Sequence, residues 1–341
     1  MILFIALGSI IILALGVGYS ISAPGYSGES SDHFDGSTFK NRKGYDNKGF
    51  LELIKWVTNR KPGEWTEKTE NVISYGSKPS DRVSDSSHVI TYVNHSTFLI
   101  QTDGLNIITD PVYSKRVSPF TFAGPKRMRP PGIQFKDLPK IDFVLLSHNH
   151  YDHLDITTLK RIQETSDPVF ITPLGVDLYL NKKGIYKTVS LDWWQAHSVN
   201  DSVSISAVEA QHFSSRGMFD RDKTLWVGFV IEAPSGNVYF AGDTGYNNFF
   251  EKIGRDYAPI KTALIPIGAY IPRWFMSPVH VDPEQALQIH RDINAELSIG
   301  MHYGTFPLAD DGEMDPINDF EKVHNDENFV LMKEGDSLRR E

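Results

Sequence analysis

Six consecutive residues, His148-Asn149-His150-Tyr151-Asp152-His153, hold four side chains that can bind a metal ion. They follow residues 141–147, an apolar run that reads as a buried strand. A chain leaving a strand presents residues i and i+2 on one side, so His148 and His150 can grip one ion. Asp152 and His153 lie a short loop further on, within reach of a second ion. The plain alternative is a solvated polar loop. Four ligand-type side chains at a strand end are costly to pack, however, unless something binds them. The chain has no cysteine, which rules out disulfides, thiolate metal sites and cysteine nucleophiles. Any metal must therefore be held by His, Asp and Glu.

Later strand ends offer the remaining ligands. His212 follows the strand expected over 203–210. Asp243 sits in Ala241-Gly242-Asp243-Thr244-Gly245, where small neighbours let backbone crowd a site. His302 ends the strand expected over 297–301 and is followed closely by Gly304. Each alone is an ordinary strand-end polar residue. Together with the first motif they make the seven ligands that two ions sharing one carboxylate require. Outside this set, His95 reads as a hydrogen-bonded core histidine and Asp110 as a support for the ligand loops. His33, His88, His197, His290 and His324 belong to no motif. Lys126, Arg127 and Arg129 form a basic, proline-rich loop: either a solvated face or a contact to lipid phosphate or an anionic membrane surface, worth about 1 kcal/mol per charge. Trp193-Trp194, Phe213 and Trp274-Phe275-Met276 read mostly as core, with any exposed subset available to line a groove.

The elements that position these residues change character along the chain. Strands are expected over 88–93, 97–102 and 105–109, with Asp103-Gly104 as a hairpin turn. A β/α alternation follows, with strands over 141–147, 168–172, 186–191, 203–210, 225–232, 238–241, 261–267, 297–301 and 329–333. Helices are expected over 156–165, 175–181, 283–294 and 316–324. This order suits an α/β fold of two packed mixed sheets with helices outside.

The bulk composition is the ordinary balance of a folded globular protein. The 341 residues are 40% hydrophobic and 23% charged, enough for one large α/β domain or two smaller ones. A net charge of −9 argues against nucleic acid as a partner, because phosphate binding wants a clustered basic surface. Residues 2–23 carry no charge and read as a membrane anchor or a cleaved signal segment. Residues 24–85 read as a tether and lead-in, with a helix near 51–56, and 86–341 as the catalytic domain.

The motif order resembles the metallo-β-lactamase superfamily, and its detail resembles the phospholipases D that hydrolyse N-acylphosphatidylethanolamine. The carrying segments are Thr109-Asp110-Pro111, Gly124-Pro125-Lys126-Arg127, the His148 motif, Phe240-Ala241-Gly242-Asp243-Thr244-Gly245-Tyr246, Ile265-Pro266-Ile267-Gly268-Ala269-Tyr270, Pro272-Arg273-Trp274-Phe275-Met276, His280-Val281-Asp282-Pro283-Glu284 and His302-Tyr303-Gly304-Thr305-Phe306. The resemblance implies an αββα sandwich with one ion on His148, His150 and His212. It implies a second ion on Asp152, His153 and His302, with Asp243 bridging both. Zinc suits such a donor set, with iron or manganese as alternatives. Asp152 and Asp243 would be catalytic as well as ligating, and His280 would contact phosphate or support the ligands. The implied reaction releases an N-acylethanolamine and phosphatidic acid from a membrane phospholipid. A lactonase, a soluble phosphodiesterase or a non-catalytic membrane scaffold would be the alternatives, and the resemblance leaves room for a homodimer.

Overall fold

The structure is a computed structural model, and it describes residues 15–42, 48–68, 75–324 and 326–341. The described strands form two sheets of seven. The first has the order β14-β1-β2-β3-β4-β5-β6. Its strands are β1 (His88–Asn94), β2 (Thr97–Thr102), β3 (Leu105–Thr109), β4 (Phe143–Leu145), β5 (Val169–Pro173), β6 (Thr188–Leu191) and β14 (Ser337–Arg340). The second runs β13-β12-β11-β10-β9-β8-β7. It comprises β7 (Ala196–Ser198), β8 (Ser204–Val208), β9 (Gly228–Glu232), β10 (Asn237–Phe240), β11 (Ile260–Pro266), β12 (Ser298–Met301) and β13 (Phe329–Val330). Both sheets are mixed. In the first, β14, β1, β2 and β3 pair antiparallel and β3 to β6 pair parallel. In the second, β7 to β10 pair antiparallel and β10 to β13 pair parallel.

Side chains from both inner faces fill one core, among them Ile90, Phe98, Ile107, Leu145, Ile205, Phe229, Tyr239 and Leu264. Helices α2 (Ile156–Ser166) and α3 (Val176–Lys182) cover the outer face of the first sheet through Leu159, Ile162, Val176 and Leu180. On the second sheet, α4 (Phe249–Tyr257), α6 (Pro283–Asp292) and α7 (Asp315–Val323) bury Phe250, Ile253, Leu287, Ile289 and Phe320. This is the αββα sandwich that the resemblance implies. Helix boundaries follow local chemistry. Asp155 caps α2 by accepting from the amides of Thr157 and Thr158, and Asp282 caps α6 ahead of Pro283 at its first position.

Several segments depart from the sequence expectation. The strand expected over 141–147 is regular only at Phe143–Leu145, because Ser147 is drawn out of the ladder toward Asp110. Strands β7 and β14 and helices α4 and α5 (Arg273–Met276) are additional elements. The chain closes on β14 beside β1, beyond the last strand expected from sequence. The lead-in is no free tether near its start. Phe34 and Phe39 are buried in the main core, and Asn41 donates to the His212 carbonyl at 3.1 Å. Of the apolar N-terminal segment, residues 15–21 are helical, and 1–14 lie outside the described residues. Among the described residues no helix is long and apolar enough to cross a membrane.

The two sheets also meet through a polar pair in the core. His88 on β1 bonds Thr262 on β11 at 2.8 Å. Burial, reinforced by Lys261, depresses the His88 imidazole from 6.5 to about 4. The fold thus favours the neutral ring, so its contribution is fully present above pH 6.5 and is lost as pH falls toward 4. At ~1.4 kcal/mol per pKa unit this costs about 3 kcal/mol across that window. Urea midpoints at pH 7 and pH 4 should therefore fall further for wild type than for His88→Gln. Equal falls in the two proteins would remove His88 as the cause.

Candidate metal centre

The ligand-type residues stand on loops at one edge of the sandwich, where the ends of β4, β8, β10 and β12 converge. Two contacts join the sheets there. The Val227 amide donates to the Ser147 carbonyl at 2.9 Å. Gly242, at φ +61°, lies so close that a Cβ would stand 2.8 Å from that of Ser147 and 2.9 Å from the Val227 oxygen. Only glycine fits both the backbone conformation and the approach. Three other site residues adopt positive φ without being glycine: His95 at 52°, Asp110 at 33° and His302 at 62°. Such conformations persist only where surrounding contacts over-determine them.

The geometry brings all seven sequence-derived ligands together. His148 Nε2 lies 2.8 Å from His150 Nδ1, and His212 Nε2 lies 3.2 Å from that same atom. Asp152 Oδ2 is 3.2 Å from His153 Nε2 and 3.3 Å from His302 Nε2. Asp243 Oδ2 sits between the two groups. It is 3.1 Å from His302 Nε2, 3.2 Å from His153 Nε2, 3.7 Å from His212 Nε2 and 4.0 Å from His148 Nε2. His148, His150 and His212 thus form one compact donor set, and Asp152, His153 and His302 form a second together with His95.

Outer hydrogen bonds aim the ring nitrogens inward. The Ser147 hydroxyl donates to Asp110 Oδ2 at 2.5 Å and is 2.9 Å from His148 Nδ1, so it accepts from that nitrogen. His153 Nδ1 donates to Asp110 Oδ2 at 2.7 Å, and His212 Nδ1 donates to the Val279 carbonyl at 3.0 Å. Each contact fixes the tautomer that leaves Nε2 as a lone pair. Lone pairs from three imidazoles and two carboxylates cannot face one another in a buried volume without a cation. The electrostatics agree. Burial, then neighbouring imidazoles, holds His148 well below the ordinary imidazole range. Burial would also depress His302, but the Asp243 and Asp152 carboxylates raise it to about 9, which marks the negative charge gathered at this point. Asp243 Oδ1 and His153 Nε2 are buried without a hydrogen-bond partner. The donor set therefore fits divalent ions of the zinc, iron or manganese kind.

Some residues fall elsewhere than the sequence suggested. His95 is buried as expected but belongs to the cluster, with Nε2 3.1 Å from Asp152 Oδ2. Its backbone carbonyl accepts from the His302 amide, a contact between distant strand ends that local sequence does not signal. The basic loop does not present free charge to a ligand. Arg127 is buried, donates to the Ser114 and Val112 carbonyls, and lies over Phe306, whose ring packs on His95. Arg129 pairs with Glu313 and Glu334, and Lys126 pairs with Glu67. Asp110 supports the ligand loops through Ser147 and His153, and its carboxylate also lies close to His148 and His153 as a third ligand-type group.

His280 Nδ1 lies 4.0 Å from Asp243 Oδ2 and is buried without a hydrogen-bond partner. Arg273 holds its segment by donating to the His280 carbonyl at 2.9 Å while pairing with Asp282. On its far side His280 lines a cleft of about 790 Å³ with Phe213, Phe275, Met276 and Leu308. Phe50, Leu53 and Trp56 of α1 (Phe50–Thr58) form the opposite wall. Phe213 packs against the rings of His150 and His212 at 4.5 and 4.9 Å, so the apolar wall reaches the ligands directly.

Comparison with known proteins agrees with this geometry. Residues 105–303 match a family model described as a beta-lactamase superfamily domain. The chain is 35% identical to N-acyl-phosphatidylethanolamine-hydrolyzing phospholipase D 1 of Caenorhabditis elegans, over 81% of this chain and 83% of that protein. It is also 35% identical to the mitochondrial N-acyl-phosphatidylethanolamine-hydrolyzing phospholipase D of Saccharomyces cerevisiae, over 68% of this chain and 51% of that one. Among solved structures, Igni18, a metallo hydrolase of the archaeon Ignicoccus hospitalis, superposes with a TM-score of 0.58 at 26% identity, covering 75% of this chain and 99% of its own.

Proposed function

The chain belongs to the β-lactamase superfamily and is a hydrolase, and on that premise we propose that it is a dinuclear zinc phosphodiesterase of phospholipase D type. Its substrate is an N-acyl-phosphatidylethanolamine-like phospholipid, cleaved to an N-acylethanolamine and phosphatidic acid. The observation that carries this reading is the continuity between the His/Asp cluster and the apolar cleft, joined at Phe213 and His280. An acyl chain in the cleft delivers its polar end to the cluster. A soluble phosphodiester or a small lactone has no use for that wall.

Zinc ions held there would lower the pKa of water and offset the negative charge of the phosphoryl oxygens. The chain's own residues do the rest. His148, His150 and His212 would hold one ion and Asp152, His153 and His302 the other, with Asp243 shared. Asp152, fixed by His95, His153 and His302, keeps a carboxylate beside the attacking water. Water forms the new bond to phosphorus, the bond from phosphorus to the ethanolamine oxygen breaks, and a proton passes to that leaving oxygen. His280, depressed by burial to about 4, is neutral at physiological pH and stands where the phosphodiester enters from the cleft.

The lipid surface is met on the α1 side. Phe50, Leu51, Leu53, Ile54 and Val57 of that helix are exposed beside the cleft. Residues 2–14 add an uncharged apolar stretch that would tether the protein to a bilayer. Incubation of the purified protein with detergent-dispersed N-acylphosphatidylethanolamine should release N-acylethanolamine and phosphatidic acid, read by mass spectrometry and abolished by a zinc chelator. A zinc-loaded protein that leaves this lipid intact would move the substrate to lactones or other phosphodiesters. Failure to retain metal at all would favour a scaffold.

A further inference from the structure

A second cavity, of about 500 Å³, opens beside the metal-binding loop and differs from the apolar cleft in chemistry. Lys115, Arg116, Lys183 and Arg216 line it, against one carboxylate, that of Asp155. That carboxylate is already satisfied by the amides of Tyr113, Ser114, Thr157 and Thr158 and by the Thr158 hydroxyl. Among the described residues none of the four cations forms an ion pair.

Arg216 is the most informative of them. It is 7% exposed, its guanidinium lies 3.8 Å from the Tyr151 ring centre and 4.9 Å from that of Tyr179, and it forms no ion pair, the nearby Asp220 carboxylate being taken up by the amides of Ala23, Arg216 and Gly217. Its Nε is buried without a hydrogen-bond partner. A buried guanidinium without a counter-anion is costly, and an anion in the cavity removes that cost. Arg216 Nη1 also donates to the carbonyls of Asn149 and Leu154 at 2.7 and 3.0 Å. It therefore grips both ends of the loop carrying His150, Asp152 and His153.

The rim indicates where the anion comes from. Phe120 borders the cavity, and its ring lies 5.5 Å from that of Phe122, which is 80% exposed. Ser20 and Ile21, at the end of the uncharged N-terminal stretch, form another edge. Exposed aromatic rings beside unpaired cations suit a headgroup phosphate with acyl chains lying next to it. We infer that this cavity binds the phosphate of an anionic phospholipid, at a site separate from the metal centre. The inference goes beyond the proposed reaction and does not depend on it, because its test reads binding and not turnover.

The test is equilibrium binding of a fluorescent, acyl-labelled phosphatidic acid to the full-length, metal-loaded protein in neutral detergent. Lys115→Glu with Lys183→Glu should weaken binding about tenfold or more. Lys322→Glu with Lys333→Glu, the same charge change at exposed sites elsewhere, should stay within about twofold. Equal weakening in the two pairs would reduce the attraction to overall charge and overturn the site. Unchanged binding in the first pair would place the lipid at the metal centre and overturn it equally. Phe120→Ser with Phe122→Ser should weaken lipid binding about fivefold. If glycerol 3-phosphate displaces the probe as well as unlabelled lipid does, the cavity serves a soluble phosphate and the lipid assignment fails.

Discussion

Asp243→Asn should lower turnover about a thousandfold or more while the purified protein keeps its fold and loses much of its metal. The size of the effect follows from position. Asp243 Oδ2 lies within 4.0 Å of ring nitrogens on His148, His153, His212, His280 and His302, more than any other carboxylate in the centre. Asparagine keeps the volume but removes the charge and turns half of the group into an N–H donor that cannot ligate an ion. Both ions lose a shared ligand in one step. Metal content by elemental analysis, circular dichroism and turnover should be measured on the same preparation. Full activity with normal metal content would end the assignment of Asp243 as the bridge.

The second large effect concerns the cleft. Leu53→Glu places a carboxylate in its apolar wall, on a helix with no buried residue, so the fold should be unaffected. At ~0.8 kcal/mol per buried methylene, loss of three or four methylene contacts lowers turnover of a long-chain substrate about a hundredfold. An analogue with all its acyl chains cut to a few carbons, and so with few methylenes to place against that wall, should be turned over within about threefold of wild type. Equal losses on both substrates would mean that the helix acts on the centre and not on the acyl chain.

The His148 motif was legible because its four ligand-type residues are neighbours in sequence and the apolar run before them declares a strand. His212, Asp243 and His302 were legible only as members of a set, since each is one polar residue at the end of one strand. His95 escaped because its approach to Asp152 depends on a backbone bond to His302, more than two hundred positions away. The basic loop misled for the same reason. Glu67, Glu313 and Glu334, which pair with Lys126 and Arg129, are distant in sequence, so those charges looked free. The layered fold followed from the β/α alternation, whereas β7 and β14, short and half-exposed, carry too little apolar pattern to announce themselves. Arg216 lies in Ser215-Arg216-Gly217, a context with no feature of a buried cation.

The two sheets contribute unequally to the chemistry yet neither has enough of it. The first supplies His148, His150, Asp152 and His153, and the second supplies His212, Asp243 and His302. Ions held there would act as rivets across a seam, closing a join that the apolar core alone leaves as two stacked plates. A fluctuation that parts the plates at this edge would dismantle catalysis before either plate frays. Loss of metal and loss of activity on heating would then be a single event, preceding the melting of the strands that frame it.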